Sequence, residues 1–264
     1  MANPIQELKA CPVCGKPAGS YCVSVGDYSI FKCSACGLEY TTPVPSDEEL
    51  GDFYQSYSDI RADVEVQRRN AERNCVFLRE TGILDDSSSV LDFGCGAGIF
   101  ADVIGSQCLG FDISAIDNGV SPNVTGNYEK MIGRSYDVVT LWGVLEHLSD
   151  PVASMQEIVP LIATAGHVVI TTVNAEGNIP YYYKPVEHLT YWTEMAIRHL
   201  FEIVGLSLKL IKPYEMEQSG DIYVNRLLSR TPPPYAKVLA DSIKYLPAYV
   251  SVPTNEFICI AKKQ

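Results

Sequence analysis

The sequence predicts an α/β fold preceded by a small cysteine-rich unit, and three observations lead to this prediction. An apolar strand that ends in an acid runs into a glycine-rich turn over residues 90–100. A second short strand, over residues 108–112, also ends in an acid. Near the N-terminus, two Cys-x-x-Cys pairs are separated by eighteen residues. Strands that alternate with helical segments are typical of a parallel sheet.

The glycine-rich turn is the most informative segment of the chain. Its pattern is Asp92-x-Gly94-x-Gly96-x-Gly98, and an apolar stretch suited to a helix follows it. Glycines at such a turn let the backbone approach a ligand, and the helix N-terminus directs free N–H groups toward that ligand. The third glycine comes one residue earlier than in the dinucleotide fingerprint. The pattern therefore favours a nucleoside ligand, with a purely structural tight turn as the alternative.

Asp112 is the candidate for binding the ribose of that ligand. It lies eighteen residues after Gly94, close to the offset of about 20 residues at which an acid binds ribose hydroxyls in such folds. A carboxylate can accept hydrogen bonds from both hydroxyls of a cis-diol. The alternative role for Asp112 is a helix N-cap or a loop acid.

Two histidines are candidate general bases. A buried-looking strand ends near Trp142, and a Glu146–His147 pair follows it, where open α/β sheets bind ligands. His188 lies in a long aromatic loop over residues 179–188, and long loops in compact domains are often functional. Histidine is the side chain whose ordinary pKa lies nearest neutrality. Glu146 is placed to orient His147 or to contact the ligand. The alternative role for His147 is helix capping or packing, and the alternative role for His188 is a hydrogen bond that fixes the loop.

Together these segments resemble the class I methyltransferases that use S-adenosylmethionine (SAM), in the group that acts mostly on small molecules. The resemblance covers residues 46–264 and implies a Rossmann-like, seven-stranded, mostly parallel sheet with helices on both faces. It implies that the glycine-rich turn holds the methionine part of SAM and that the segment ending in Glu146 and His147 lies beside the transferred methyl group. The cofactor-binding residues expected on this basis are Asp92, Gly94, Gly96, Gly98, Asp112 and Trp142.

The chain departs from this family between Asp112 and Tyr136. The family usually has a helix and a third strand there, with a side chain that binds adenine. Here Pro122, Gly126 and Gly133 interrupt any periodic pattern. We therefore expect a short third strand and assign no residue to the adenine.

The two N-terminal cysteine pairs predict a structural zinc site. Cys11, Cys14, Cys33 and Cys36 have the spacing of a four-thiolate centre. Four thiolates complete a tetrahedral shell and leave no open position. Disulfides are the alternative, and we disfavour them because no secretory signal is recognised. A zinc ribbon before a methyltransferase domain resembles a known subgroup that includes sugar methyltransferases and other tailoring enzymes.

Composition narrows the range of partners. The chain has 264 residues, 47% of them hydrophobic, which is enough for one large domain and one small domain. Its net charge of −12 argues against a nucleic-acid partner, because such partners are bound mainly through Lys and Arg. No apolar run approaches the ~20 residues that a membrane span requires. We expect a cytoplasmic enzyme with a small-molecule acceptor and no membrane partner.

The expected domains are a zinc ribbon over residues 1–42, a helical linker or lid over 43–86, and the methyltransferase domain over 87–264. Substrate-side insertions are expected near residues 174–192 and 214–253. Ser46 and Glu49 form a capping-box pattern at the start of the first linker helix. In the C-terminal region, strands are predicted over residues 206–211 and 256–261.

Three functions are compatible with the sequence. The favoured one is SAM-dependent methyl transfer to a small molecule, such as a sugar nucleotide or a secondary metabolite. The second is an RNA or protein methyltransferase that grips its substrate through the ribbon, although only Lys16 and Lys32 are basic between Cys11 and Cys36. The third is a non-catalytic SAM-binding interaction protein. The sequence indicates neither the methylated atom (O, N or C) nor the oligomeric state.

Overall fold

The computed structural model describes residues 10–17, 19–57, 64–114, 122–177, 183–228 and 247–264. The strands in these ranges are β1 (Ser20–Val25), β2 (Tyr28–Lys32), β3 (Glu39–Thr42), β4 (Val90–Phe93), β5 (Cys108–Phe111), β6 (Val124–Thr125), β7 (Tyr136–Trp142), β8 (Ile162–Val173), β9 (Thr190–Tyr191), β10 (Leu206–Ser219) and β11 (Tyr249–Lys263). The helices are α1 (Asp47–Tyr57), α2 (Val64–Glu80), α3 (Ile99–Ile104), α4 (Pro151–Ile158), α5 (Glu194–Ile203) and α6 (Gly220–Leu228).

Seven strands form the large sheet, in the order β10-β11-β8-β7-β4-β5-β6. The strands from β8 to β6 pair in parallel, whereas β11 runs antiparallel to both of its neighbours. Five apolar residues of β4 and β7 are fully buried, as expected of a sheet covered on both faces: Val90, Leu91, Val138, Val139 and Leu141. The seven-stranded, mostly parallel architecture is thus confirmed, and β6, with two residues, is the expected short third strand.

Local capping explains where several helices begin. The Ser46 backbone N–H donates to Glu49 Oε2 at 2.7 Å, and the Glu49 N–H donates back to Ser46 Oγ at 3.2 Å. This reciprocal pair is the capping box that the sequence predicts at the start of α1. Asp150 caps α4 by accepting from the Ala153 N–H at 2.9 Å. None of the helices in the described ranges is long and apolar enough to cross a lipid bilayer.

Strands β10 and β11 are longer than the sequence predicts. They pair from Leu206 opposite Lys263 as far as Ser219 opposite Tyr249, which extends the hairpin into the segment expected to be an insertion. A register shift near Pro213 lets the pairing continue past a residue that cannot donate to the ladder. Polar side chains of α2 hold the extension, since Asn70 Oδ1 accepts from the Glu217 N–H at 2.8 Å.

A second, four-stranded sheet has the order β1-β2-β3-β9 and joins the cysteine-rich unit to the main fold. Its outer strand β9 comes from the segment that contains His188, and Tyr40 pairs with Thr190. Three of the ribbon cysteines share one apolar core with Trp192 and with residues of α5. The N-terminal unit therefore packs directly on the larger domain, and the boundaries at residues 42 and 86 remain a prediction.

Candidate active site and metal centre

The glycine-rich turn between β4 and α3 has the backbone geometry that only glycine adopts readily. Gly94, Gly96 and Gly98 have φ angles of 75°, 52° and 77°. The N–H groups of Gly94 and Cys95 both donate to the carbonyl oxygen of Phe111, at 2.7 and 3.0 Å, which ties the turn to the end of β5. A Cβ added to Gly96 would meet no atom within 4 Å. The turn is therefore rigid and presents open backbone to an incoming ligand.

Asp112 lies across from this turn, as the sequence predicts. Its Oδ2 accepts from the Gly96 N–H at 2.8 Å, and its Oδ1 accepts from the N–H and hydroxyl of Ser114 at 2.9 and 2.6 Å. Each carboxylate oxygen can accept more than one hydrogen bond, so both keep capacity for a ligand. The carboxylate is thereby held in one orientation at the edge of the open turn.

Asp92 is buried beneath the turn, with 2% of its surface exposed. Its Oδ1 accepts from the Thr140 hydroxyl at 2.7 Å, which links β4 to β7. Burial raises the pKa of Asp92 to about 7; the hydrogen bond from Thr140 opposes this rise, and the charge of Asp112 adds to it. Asp92 therefore holds the base of the turn through Thr140.

Trp142 lies at the end of β7, next to the first turn of α3. Its ring packs edge-on against Phe100, with ring centroids 5.2 Å apart. The indole Nε1 is buried and has no hydrogen-bond acceptor among the described residues. A buried indole N–H usually finds a partner, so this donor is unsatisfied within the part of the chain that the structure describes.

Glu146 and His147 lie in a single helical turn, Leu145–His147, that follows β7. Glu146 is 3% exposed, and its Oε2 accepts from the Thr172 hydroxyl of β8 at 2.7 Å. Burial raises the pKa of Glu146 to about 8, and the nearby charge of Glu256 adds to the rise. Burial also lowers the pKa of His147.

The fold brings His188 onto His147. Their ring centroids are 5.1 Å apart and the rings are almost perpendicular, at 89°. The ligand atoms of Glu146, His147 and His188 all lie within 4.8 Å of one another. The three residues predicted as catalytic therefore form one cluster, which we call the acceptor cluster.

The glycine-rich turn and the acceptor cluster are adjacent. A Cβ added to Gly94 would lie 2.5 Å from Cγ2 of Val144, so the turn packs directly on the segment that carries Glu146 and His147. Sequence reasoning did not single out Thr172 or Glu256, which border the acceptor cluster. A threonine pair within the apolar run of β8 was the available signal for Thr172. Tyr181 and Tyr182 of the aromatic loop lie outside the described residues.

The four N-terminal cysteines converge as the sequence predicts. The Sγ atoms of Cys11 and Cys36 are 3.6 Å apart, and those of Cys14 and Cys33 are 3.4 Å apart. These distances exceed a disulfide bond of about 2.05 Å. They are close to the ~3.8 Å that separates two sulfurs bonded to one tetrahedral zinc ion. The N–H groups of Gly15 and Gly37 close the two knuckles on the carbonyls of Cys11 and Cys33. The donor set fits a structural zinc ion.

A mostly parallel sheet with a glycine-rich turn after one strand and an acid after the next defines a Rossmann-like, nucleoside-binding class of α/β protein. A family model described as a methyltransferase domain matches residues 65–210, more than half of the chain. The chain belongs to this methyltransferase family, and the resemblance to class I SAM-dependent methyltransferases is confirmed.

Curated relatives include the ubiquinone biosynthesis O-methyltransferases of Yersinia pestis (strain Pestoides F) and Yersinia pseudotuberculosis (strain YPIII). Each is 31% identical over 118 residues, which is 38% of this chain and 48% of the relative. The chain thus spans about half the length of the curated relatives that it matches.

Among solved structures, the fold is similar to the 1,6-didemethyltoxoflavin-N1-methyltransferase of Burkholderia thailandensis, with a TM-score of 0.53 and 16% identity over 93% of this chain and 100% of that one. It is also similar to the [4+2]-cyclase SpnF, with a TM-score of 0.52 and 16% identity over 84% of this chain and 98% of that one. At these identities the comparisons establish the fold alone.

Proposed function

We propose that this protein transfers a methyl group from SAM to a hydroxyl oxygen of a small molecule. The observation that carries the proposal is the packing of Gly94 on Val144, which makes the glycine-rich turn continuous with the acceptor cluster. A cofactor on the turn would therefore lie beside groups able to accept a proton. The name O-methyltransferase of the Yersinia relatives supports oxygen as the methylated atom.

The residues around the turn fit SAM. Gly96 leaves open space for the methionine part, and Asp112 keeps acceptor capacity for the two ribose hydroxyls. Trp142 offers an indole donor, while Asp92 holds the turn from below. Bound SAM would supply an electrophilic methyl group: the C–O bond would form as the C–S bond breaks, and the sulfur would keep the electron pair as a neutral thioether.

The acceptor cluster supplies proton transfer. Burial lowers the pKa of His147, so its imidazole is neutral near pH 7 and able to accept the hydroxyl proton. His188 lies against it and is the second candidate base. Glu146 is held by Thr172 and positions the turn that carries His147. The rest of the rate enhancement comes from holding the acceptor oxygen in line with the methyl group.

The ribbon completes the proposal as a structural unit. One zinc ion would be held by Cys11, Cys14, Cys33 and Cys36, and none of these four thiolates would remain for catalysis. We propose a cytoplasmic enzyme whose acceptor is a sugar nucleotide or a secondary metabolite. The net charge of −12 agrees with a small acceptor better than with a nucleic acid.

Calorimetry with SAM and S-adenosylhomocysteine, on the wild type and on Asp112→Ala, tests the cofactor. We expect binding to the wild type and at least a tenfold loss of affinity in the variant, because the ribose loses its carboxylate. Failure of the wild type to bind either ligand would contradict the proposal.

Two further variants test the candidate bases. His147→Ala and His188→Ala should still bind SAM, and at least one should lose turnover with a panel of hydroxylated acceptors. Full turnover in both variants would remove histidine from the role of base.

A further inference from the structure

The acceptor cluster is also a set of metal ligands. The carboxylate of Glu146 and the ring nitrogens of His147 and His188 lie within 4.8 Å of one another. Two imidazoles and one carboxylate are a donor set that divalent transition metals accept. Three protein ligands leave positions open for substrate, unlike the closed shell of four thiolates in the ribbon. The two clusters therefore suit different metals and different roles.

The charge around the cluster favours a cation. Glu146 is 3% exposed and His188 is 6% exposed, so both groups are withdrawn from water. The carboxylates of Glu187 and Glu256 lie close enough to interact with Glu146. Lys184 is the lysine that faces these acids, and its Nζ is 3.5 Å from Glu187 Oε2. Three carboxyl groups therefore face one lysine, and a buried carboxyl gives up its proton when it coordinates a metal ion.

Outer contacts hold the ligands in place. Thr172 donates to Glu146 Oε2, and the Leu189 N–H donates to the Glu146 carbonyl at 2.8 Å. The His188 carbonyl accepts from the hydroxyls of Thr41 and Tyr191, at 3.0 and 3.1 Å. Such contacts orient metal ligands and are a regular part of metal sites. They come from β3, β8, β9 and the residue just before β9, so the tertiary fold sets the positions of the donors before any ion binds.

We propose that Glu146, His147 and His188 bind one divalent metal ion of the Mn²⁺ or Fe²⁺ type. The role of this ion rests on the proposed function. The ion would bind the acceptor hydroxyl and lower the pKa of that hydroxyl. The hydroxyl proton would leave to solvent water as the oxygen bonds to the methyl carbon. The C–S bond of SAM would break in the same step, and the sulfur would keep the electron pair. In this state the two imidazoles act as ligands, and the role of base described above applies to the protein without the ion.

Titration of the full-length, zinc-loaded protein with Mn²⁺, followed by electron paramagnetic resonance, tests this site. Mn²⁺ prefers oxygen and nitrogen donors and is a poor competitor for thiolates, so the ribbon keeps its zinc. We expect one bound Mn²⁺ per chain in the wild type. Glu146→Gln and His147→Gln should each weaken binding at least tenfold. Glu146→Gln keeps the shape of the side chain, so it tests the ligand even where the histidine variant folds poorly.

The control variant is His199→Gln. His199 Nδ1 lies 3.9 Å from Glu202 Oε2 on the exposed face of α5, so it is a histidine–carboxylate pair outside the cluster. Its loss should leave Mn²⁺ affinity unchanged. Absence of Mn²⁺ binding in the wild type, or equal binding in the cluster variants, would overturn the metal site.

Calorimetry with S-adenosylhomocysteine on the same samples separates this inference from the proposed function. Binding of that ligand without any Mn²⁺ site would overturn the metal inference and leave the methyltransferase proposal standing. Absence of cofactor binding would overturn the methyltransferase proposal and, with it, the purpose assigned to the ion.

Discussion

The side-chain hydroxyl of Thr41 donates a hydrogen bond of 3.0 Å to the backbone carbonyl of His188. Thr41 belongs to the last strand of the cysteine-rich unit, and His188 belongs to the acceptor cluster. A second bond, from the Thr41 N–H to the Leu189 carbonyl at 2.9 Å, extends the connection. The ribbon therefore sets the backbone position of the segment that carries a candidate active-site histidine.

Removing the Thr41 hydroxyl should lower turnover of the acceptor and leave the affinity for the cofactor unchanged. We expect Thr41→Val to lower the free energy of unfolding by about 1 kcal/mol, the usual worth of one hydrogen bond. Turnover should fall while the affinity for S-adenosylhomocysteine stays unchanged, because Asp112 and the glycine-rich turn are untouched. Thermal unfolding, kinetics and calorimetry measure the three quantities.

Thr42→Val is the matched control for that experiment. Thr42 is adjacent and equally buried, and its hydroxyl has no hydrogen-bond partner among the described residues. Equal losses of turnover in the two variants would mean that the bond to His188 does not position the acceptor segment.

Loss of one zinc ligand should loosen the acceptor segment as well as the ribbon. We expect Cys14→Ser to reduce the zinc content below one ion per chain and to speed amide hydrogen exchange at Thr190 and Tyr191, which pair with β3. Metal analysis and exchange mass spectrometry provide the measurements. Cys22→Ser is the control, because Cys22 is exposed and lies outside the cysteine cluster. Unchanged exchange at β9 after zinc loss would contradict the link.

Gly96→Ala should weaken cofactor binding and should lower the free energy of unfolding no more than alanine does at a comparable glycine outside the site. Gly96 has a φ of 52° and Gly82 one of 70°, and an added Cβ at either position meets nothing within 4 Å. Alanine in this backbone region costs roughly 1–2 kcal/mol, so both variants should lose similar stability. Only Gly96→Ala places its methyl group where the cofactor would lie, and calorimetry should show at least a tenfold loss of affinity. Equal affinities in the two variants would place the cofactor elsewhere.

Asp92 predicts a pH dependence of stability. Its pKa of about 7 in the folded protein lies above its ordinary value near 4. The folded state therefore holds a proton that the unfolded chain releases, so its contribution to stability falls as pH rises from about 4 to 7. The acid faces the carboxylate of Asp112, the hydroxyl of Thr140 and the thiols of Cys95 and Cys108.

Asp92→Asn should remove that dependence. We compare the free energies of unfolding of the variant and the wild type in urea. The variant's value relative to that of the wild type should rise from pH 5 to pH 8 by at most roughly 3 kcal/mol. Asp137→Asn is the control, because the backbone and hydroxyl of Ser89 lower the pKa of Asp137. The contribution of Asp137 to stability is lost only at more acidic pH. Asp137→Asn should therefore lower the free energy of unfolding by the same amount at pH 5 and at pH 8. If the difference in stability between Asp92→Asn and the wild type were also the same at pH 5 and pH 8, the carboxyl of Asp92 would ionise normally in the wild type.

Much of the fold follows from local patterns in the sequence. Three alternating glycines follow Val90-Leu91-Asp92, and because glycine has no Cβ they can adopt the left-handed φ angles that the turn has. The Ser46–Glu49 capping box and the buried apolar strands are equally local. The spacing of the cysteine pairs was sufficient to predict that four thiols meet, because each knuckle closes on its own backbone.

Other features depended on distant segments, and the sequence did not predict them. The lengths of β10 and β11 were missed because α2 stabilises their extension through side chains such as Asn70. Pairing of β9 with β3 was missed because a two-residue strand has no periodic signal. The surroundings of Glu146, including Thr172 and Glu256, were missed because these residues come from separate strands that meet only in the folded sheet.

The sequence by itself determined the class of fold, the shape of the glycine-rich turn and the cysteine centre, since these follow from backbone preferences and short spacings. Only the tertiary structure decided that His188 meets His147 and that the ribbon, through Thr41, holds the His188 carbonyl. The physical reason is that contacts between distant segments are set by packing of a shared core, in which Trp192 joins the two sheets.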